Sequence, residues 1–264
     1  MNYLSVCAIY RDEAPNLREW IEFHRLVGVE RFFLYNNNSR DGHREVLAPY
    51  VDQGTVVLED WPIHPAQIQA YDDCLKRRRE ESRWIAFIDL DEFLFSPTGR
   101  PVSDLLVEFE RCPGVVVNWA MFGSSGHRTR PPGLVIENYV QRTTDSLLNS
   151  IIKSIVDPRM VRAFCRPHFF MYRDGAAVDE NHRVVTNRPP WRTDSPSFER
   201  LRINHYGLKS EEEYLAKLER GHADGLRPKS PMKTERFLSL YGDVEDRTIL
   251  RYLPQLHSAI EQRA

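Results

Sequence analysis

The sequence contains few cysteines. Four occur in 264 residues: Cys7, Cys74, Cys112 and Cys165. None of them forms the C-x-x-C pattern that indicates a zinc site or a redox dithiol. We therefore expect reduced thiols, most of them buried.

Long apolar runs are absent as well. No stretch approaches the ~20 apolar residues that cross a bilayer. The first apolar run, residues 4–10, has no basic segment before it and is followed at once by Arg11, Asp12 and Glu13. This pattern predicts a first strand and argues against a signal peptide. We expect a cytoplasmic protein, and peripheral attachment to a membrane surface stays open.

The chain has no excess of positive charge. Lysine and arginine number 36 against 38 acidic residues, which gives a net charge of -2. Proteins that bind nucleic acids usually carry a basic surface, so we expect no nucleic-acid partner. An anionic ligand would have to be held by local groups.

Apolar residues make up 41% of the chain, enough for a sizeable core. Strand-like and helix-like segments alternate over the first 120 residues, which predicts a mainly parallel α/β sheet flanked by helices. After residue 120 the pattern is less regular and predicts an antiparallel extension, and from Ser210 it predicts a helical tail. We expect a single domain over residues 1–264. The predicted strands are residues 4–10, 31–35, 55–59, 84–89 and 114–119, then segments near 134–141, 151–156, 169–172 and 201–205.

An acidic cluster follows the fourth predicted strand. That strand reads WIAFI, and Asp89-Leu90-Asp91-Glu92 comes directly after it. Two carboxylates at this edge of a sheet can hold a divalent cation against a diphosphate and so assist its departure. The alternative is that these acids are solvated turn residues. A carboxylate at the end of so apolar a strand needs a partner, however, and a cation is one.

Several motifs that occur in order together resemble family 92 glycosyltransferases, formerly domain of unknown function 23 and similar to glycosyltransferase family 2. The resemblance covers roughly residues 3 to 221. It implies a GT-A fold, a UDP-sugar as the donor, Mn²⁺ or Mg²⁺, and galactose transfer with inversion. The motifs are Arg11-Asp12-Glu13, Glu19-Trp20-Ile21-Glu22-Phe23-His24, Tyr35-Asn36-Asn37-Asn38-Ser39, Asp89-Leu90-Asp91-Glu92-Phe93, Trp119-x-x-Phe122-Gly123 and Asn204-His205-Tyr206-x-x-Lys209-Ser210.

The resemblance also implies roles for single residues. Asp91 would bind the metal directly and be essential for catalysis. Asp89 would also belong to the metal site, where it would contact the ribose or a water on the metal. His205 would be a distant third metal ligand, and Lys209 would neutralise the diphosphate. The alternatives are a partly buried structural histidine and a solvated lysine at a helix start.

The loops at the same sheet edge are predicted to surround the base and ribose. They contribute Arg11, Glu13 and Asn36, and Asn37 stands beside Asn36 where many GT-A enzymes have an aspartate. On this interpretation residues 1–120 bind the nucleotide-sugar, residues 121–209 bind the acceptor and metal, and residues 210–264 form the helical tail. Further candidates on the third helix are Gln67 and Asp73.

The acceptor side is less defined. Trp119, Phe122 and Gly123 are predicted to form a sugar platform, because an aromatic ring can stack on a pyranose. The alternative is an aromatic core at a strand end. No catalytic base is identified from the sequence. Its candidates are Asp179 and Glu180, and Asp145 and His168 remain open.

Two other functions compete with a glycosyltransferase. A metal-dependent nucleotidyltransferase also uses paired carboxylates on a nucleotide, although no Gly-rich phosphate loop stands near the N-terminus. A non-catalytic module that binds a nucleotide or sugar would keep the fold without turnover. For a transferase, a polysaccharide, a glycolipid or a protein glycan would each fit as the acceptor.

Overall fold

A computed structural model describes residues 1–186, 191–220 and 230–263, without the side chains of residues 164–166. The strands are β1 (Asn2–Tyr10), β2 (Arg31–Asn36), β3 (Val56–Asp60), β4 (Ser82–Phe87), β5 (Glu92–Phe95), β6 (Gly114–Met121), β7 (Gln141–Arg142), β8 (Ile152–Val156), β9 (Val161–Arg166), β10 (Phe169–Tyr172), β11 (Arg202–His205) and β12 (Val244–Glu245). The α-helices are α1 (Ala14–Leu26), α2 (His43–Asp52), α3 (Gln67–Arg77), α4 (Val102–Leu106), α5 (Val135–Asn138), α6 (Ser146–Asn149), α7 (Glu211–Arg220), α8 (Thr234–Ser239) and α9 (Leu253–Glu261).

One eight-stranded sheet organises the molecule, in the order β3-β2-β1-β4-β8-β6-β11-β5. The four strands from β3 to β4 are parallel, and β6 is parallel to β11. In contrast, β8 is antiparallel to both of its neighbours, and β5 is antiparallel to β11. The predicted α/β fold class is confirmed: the central sheet is mostly parallel and flanked by helices, with an antiparallel extension and helices at its C-terminal end.

The predicted strand near residues 134–141 is wrong for most of its length. The structure has α5 at Val135–Asn138, and only Gln141 begins a strand. Both oxygens of the buried Glu19 carboxylate accept backbone N–H groups there, from Val135 at 2.8 Å and Ile136 at 3.1 Å. This carboxylate satisfies the first N–H groups of the helix, which have no partner inside it. Because Glu19 lies more than 100 residues earlier, the local apolar run did not predict the helix.

A sharp reversal after β4 positions the acidic cluster. The chain leaves β4 in the middle of the sheet and returns as β5 at the sheet edge, where it pairs with β11. Helix α1 holds this returning strand. The indole N–H of Trp20 donates to the Glu92 carbonyl at 2.8 Å, and His24 Nε2 accepts the Leu94 N–H at 3.1 Å.

Two further observations concern the cysteines and the ability of the helices to span a membrane. Cys7 and Cys74 are free and buried, Cys112 is free and half-buried, and the side chain of Cys165 lies outside the described residues. Across residues 1–186, 191–220 and 230–263, every helix is too short or too polar to cross a bilayer.

Candidate functional site

Asp91, Glu92 and His205 come together where β5 meets β11. Glu92 pairs with His205 in that ladder, and the Asp91 carbonyl accepts the Tyr206 N–H at 2.8 Å. One ligand atom from each of the three side chains lies within 4.8 Å of the others. Two carboxylate oxygens and an imidazole nitrogen suit a cation such as Mn²⁺ or Mg²⁺. In addition, Glu92 Oε1 is buried and accepts no hydrogen bond within the described part of the chain. These residues therefore fit a divalent ion.

Asp91 faces two positive or potentially positive groups. Lys217 Nζ on α7 donates to Oδ2 at 2.5 Å, and His205 Nε2 lies 3.6 Å from Oδ1. Burial alone would raise the pKa of Asp91, but Lys217 and His205 outweigh burial and hold that pKa well below its usual value. Asp91 therefore favours its anionic form in this site.

Asp89 and Glu92 share a second cation, the buried Lys153 on β8. Its ammonium donates to Asp89 Oδ2 at 2.6 Å and lies 3.4 Å from Glu92 Oε1. Asp89 Oδ1 accepts from Gln67 at 2.9 Å and from Tyr71 at 3.1 Å. Asp89 is thus engaged with protein donors and lies outside the three-residue group that fits a metal.

Burial has different outcomes for these two carboxyl groups. It would raise the pKa of Asp89, but Lys153 holds that pKa below its usual value. For Glu92 burial prevails over the attraction of Lys153, with Asp89 and Asp91 adding repulsion, and its pKa lies well above the usual value. The cluster thus combines two aspartates that favour their anionic form with a glutamate whose neutral form is favoured as long as no metal ion lies beside it.

His205 is oriented by neighbours on β6. Its ring lies 4.1 Å from the Trp119 ring between centroids, and Nδ1 lies 3.1 Å from Met121 Sδ. Nε2 is left to face Asp91. Trp119 is 8% exposed, and its indole N–H has no partner among the described residues.

The loop after β1 is connected to the site by ion pairs with Lys209 and with Arg220 at the end of α7. Lys209 Nζ lies 3.8 Å from the Glu13 carboxylate, which also pairs with Arg220 and accepts from Asn16 at 2.6 Å. Burial opposes ionisation of Glu13, but Lys209 and Arg220 lower its pKa. The Arg11 carbonyl accepts from Arg220 at 2.8 Å. Arg11, Glu13 and Lys209 therefore lie together, and their contact with a nucleotide stays a prediction.

Asn36 and Asn37 have structural partners. Asn36 donates to Asp60 at 2.8 Å and accepts the Ser39 N–H at 2.9 Å. The Asn37 amide donates to the carbonyls of Trp61 and Ile63. These bonds use one N–H and one lone pair of Asn36 and both N–H groups of Asn37, so contact with a base would fall to the second Asn36 N–H or to the amide oxygens. Asp73, another early candidate, accepts from the Tyr35 hydroxyl at 2.8 Å.

The residues of the predicted sugar platform lie in different surroundings and do not form one surface. Trp119 lies beside His205, whereas Phe122 is fully buried against Tyr206 with ring centroids 4.9 Å apart. Gly123 packs against the carbonyls of Leu240 and Tyr241. Phe122 and Gly123 therefore support the core and the C-terminal segment, and Trp119 alone borders the acidic cluster.

The candidate bases mostly serve as structural acceptors. Asp179 accepts the N–H groups of Asn181 and Arg183, each at 2.9 Å. Glu180 is buried and accepts N–H groups from residues 199–201. Asp145 caps α6. These contacts favour the structural interpretation of all three.

His168 is the candidate base near the cluster, since its ring lies 5.2 Å from that of Trp119. Its Nδ1 lies 2.7 Å from the Ile152 carbonyl. Burial, with the nearby charge of Lys153, lowers the pKa of His168 to about 4, so the ring is neutral at physiological pH.

Sequence reasoning missed Lys153 and Lys217. They lie 64 and 126 residues from the aspartates that they contact. A signal existed for Lys153, because a lysine inside the strand segment Ile152–Val156 needs an anionic partner when buried.

Comparison with known proteins gives a consistent family. The profile of Glycosyltransferase family 92 matches residues 2–193. A glycosyltransferase family 92 protein of Arabidopsis thaliana is 41% identical over 188 residues, which cover 65% of this chain and 32% of that protein. The beta-1,4-galactosyltransferase galt-1 of Caenorhabditis elegans is 26% identical over 230 residues, which cover 82% and 50%.

The matched segments cover 24% to 32% of the length of three plant family 92 proteins. Among solved structures, S. aureus TarS 1–349 aligns with a TM-score of 0.40 and 13% identity, covering 60% of this chain and 48% of that one.

Proposed function

Since the chain belongs to glycosyltransferase family 92, we propose that it transfers a sugar from a UDP-sugar to a glycan or glycolipid acceptor, with a divalent cation and inversion at the anomeric carbon. The observation that carries the proposal is the group formed by Asp91, Glu92 and His205. Its position at the carboxyl edge of the parallel strands is where open α/β sheets bind ligands.

A bound divalent ion would neutralise charge on the departing diphosphate. On this proposal Asp91, Glu92 and His205 hold that ion, and Asp89 stays fixed by Lys153. Lys209 contributes a point charge near the diphosphate from its place beside Glu13. Trp119, which lies beside His205, would border the sugar.

Galactose is the sugar we expect first. The support comes from relatives named as galactosyltransferases, the nematode protein described above and a galactan beta-1,4-galactosyltransferase of Arabidopsis thaliana that is 29% identical over 114 residues. These names describe those proteins, and pocket differences can change the sugar.

A donor panel tests the proposal. The chain would be incubated with UDP-, GDP- and CMP-sugars and Mn²⁺, and release of the nucleotide would be followed without and with glycan acceptors. We expect turnover of one UDP-sugar, UDP-galactose first, and faster turnover when an acceptor is present. Binding of a nucleotide-sugar with no turnover under any of these conditions would contradict the transferase and favour a binding module.

A further inference from the structure

Lys217 forms an ion pair with Asp91 at the edge of the acidic cluster. It extends from α7 to Asp91 Oδ2 at 2.5 Å and also donates to the Gly207 carbonyl at 3.2 Å. Its side chain is 30% exposed and that of Asp91 only 11%. Water therefore screens this pair less than a surface ion pair.

Helix α7 is held at both ends independently of Lys217. At its start the N–H groups of Glu211 and Glu212 donate to the carbonyls of His127 and Arg128. At its end Arg220 bonds to the carbonyls of Arg11 and Asp12. Lys217 is thus carried over the acidic cluster by a helix that does not need this ion pair for its position.

The two oxygens of Asp91 face different groups. Oδ1 is directed to His205 and Oδ2 to Lys217. A divalent ion held with Glu92 and His205 would contact the same carboxylate that Lys217 already neutralises. The ion and the ammonium would then repel each other across one carboxylate, unless a further anion joined them.

We propose that Lys217 couples the binding of the divalent cation to the binding of the donor diphosphate. Without a nucleotide, the ammonium neutralises Asp91 and weakens its attraction for the ion. When a diphosphate enters, its negative charge accommodates both cations, and Lys217 contacts its oxygens. This inference rests on the proposed function, because it assigns the ion and the diphosphate to the same site.

The test measures Mn²⁺ binding by electron paramagnetic resonance, with and without UDP, and UDP binding by calorimetry at saturating Mn²⁺. Lys217→Met keeps an unbranched side chain that is shorter by one atom and removes the charge. Lys76→Met is the matched control, because Lys76 forms an ion pair of the same 2.5 Å length with Asp72 on the exposed face of α3. Circular dichroism and thermal melting would check that both variants fold, and Lys217→Gln provides a second neutral variant.

For Lys217→Met we expect Mn²⁺ alone to bind roughly tenfold more tightly than to the wild type, in the usual range of coupling between sites. The gain in Mn²⁺ affinity on adding UDP should shrink, and UDP should bind more weakly at saturating Mn²⁺. Lys76→Met should behave as the wild type in each measurement.

Two results would separate the inference from the proposed function. If the wild type and Lys217→Met bind Mn²⁺ equally well without UDP, the coupling role of Lys217 is wrong and the metal site stands. If neither binds Mn²⁺ with or without UDP, the metal-assisted function fails and the coupling role fails with it.

Discussion

At the scale of residues, the site is built from acids that each have a basic neighbour. Lys153 pairs with Asp89 and Lys217 pairs with Asp91. Burying a charge is costly unless it is paired, so these lysines make the acidic cluster compatible with a folded core. Lys153 is fully buried and fixes Asp89, while Lys217 is partly exposed and can exchange its partner.

His24 gives a prediction about pH. Its buried ring accepts the Leu94 N–H and lies 2.8 Å from the Trp20 carbonyl, and burial lowers its pKa from 6.5 to about 3. The unfolded chain therefore binds a proton at higher pH than the folded chain. Stability from this group is present above pH 6.5 and is lost as the pH falls toward 3.

Between pH 7.5 and 5 this loss should be about 2 kcal/mol of unfolding free energy. Urea unfolding would measure it. In His24→Gln, which keeps an acceptor for Leu94 but cannot titrate, the decrease over this interval should be smaller by that amount. His257→Gln, at an exposed histidine, is the control. An equal pH dependence in the wild type and His24→Gln would show that His24 does not titrate as described.

The sequence predicted some residues of the acidic cluster and missed others. The family motifs indicated Asp91 and His205, which the fold brings within 3.6 Å of each other. They assigned Asp89 to the metal, whereas the structure groups Glu92 with those two residues. The lysines were missed because their contacts depend on the tertiary fold, and a single lysine in a strand or helix carries no sign of its partner.

At the scale of elements, α1 and β5 act as one unit. Trp20 and His24 lie one helical turn apart and bond to the backbone on either side of Phe93. This explains why a helix with no side chain in the acidic cluster carries part of the family motif. The longer buried strands β1, β4 and β6 were predictable from their apolar runs, but β5 was missed because it is short and follows the acids directly.

Gly123 lies against the C-terminal segment, so a substitution at this position tests how that segment is packed. A Cβ added there would lie 2.2 Å from the Leu240 carbonyl oxygen and 3.0 Å from that of Tyr241. Because both are backbone atoms, the segment after α8 would have to move. We expect Gly123→Ala to lose ~1–3 kcal/mol of unfolding free energy, the usual cost of overpacking, measured by urea unfolding.

The control is Gly42→Ala, where φ is -72° and the nearest side-chain atom lies 3.5 Å from the added Cβ. Alanine is less favoured than glycine at this N-cap, but it also reduces the freedom of the unfolded chain, so the net change in unfolding free energy should stay below ~1 kcal/mol. If Gly123→Ala were as stable as this control, the close packing of residues 240 and 241 against β6 would be wrong.

At the scale of the whole molecule, distant parts of the chain meet at one edge of the sheet. The acidic residues come from the turn after β4, His205 from β11, Lys153 from β8 and Lys217 from α7. The α/β class was predictable because strands and helices alternate in the first half. The second half was less predictable, since its short elements are fixed by long-range hydrogen bonds such as those from Glu19 to α5.

On the proposed function, Asp91 holds a divalent ion that assists loss of the diphosphate. The most direct measurement is the rate of UDP-galactose hydrolysis as Mn²⁺ is titrated into the wild type, Asp91→Asn and the control Asp104→Asn, which changes an exposed acid on α4. We predict that Mn²⁺ activates hydrolysis in a saturable manner and that EDTA abolishes the activity. The rate in Asp91→Asn should be lower than that of the wild type by a factor of roughly 100 or more. Hydrolysis that persists in EDTA, or at the wild-type rate in Asp91→Asn, would contradict the account.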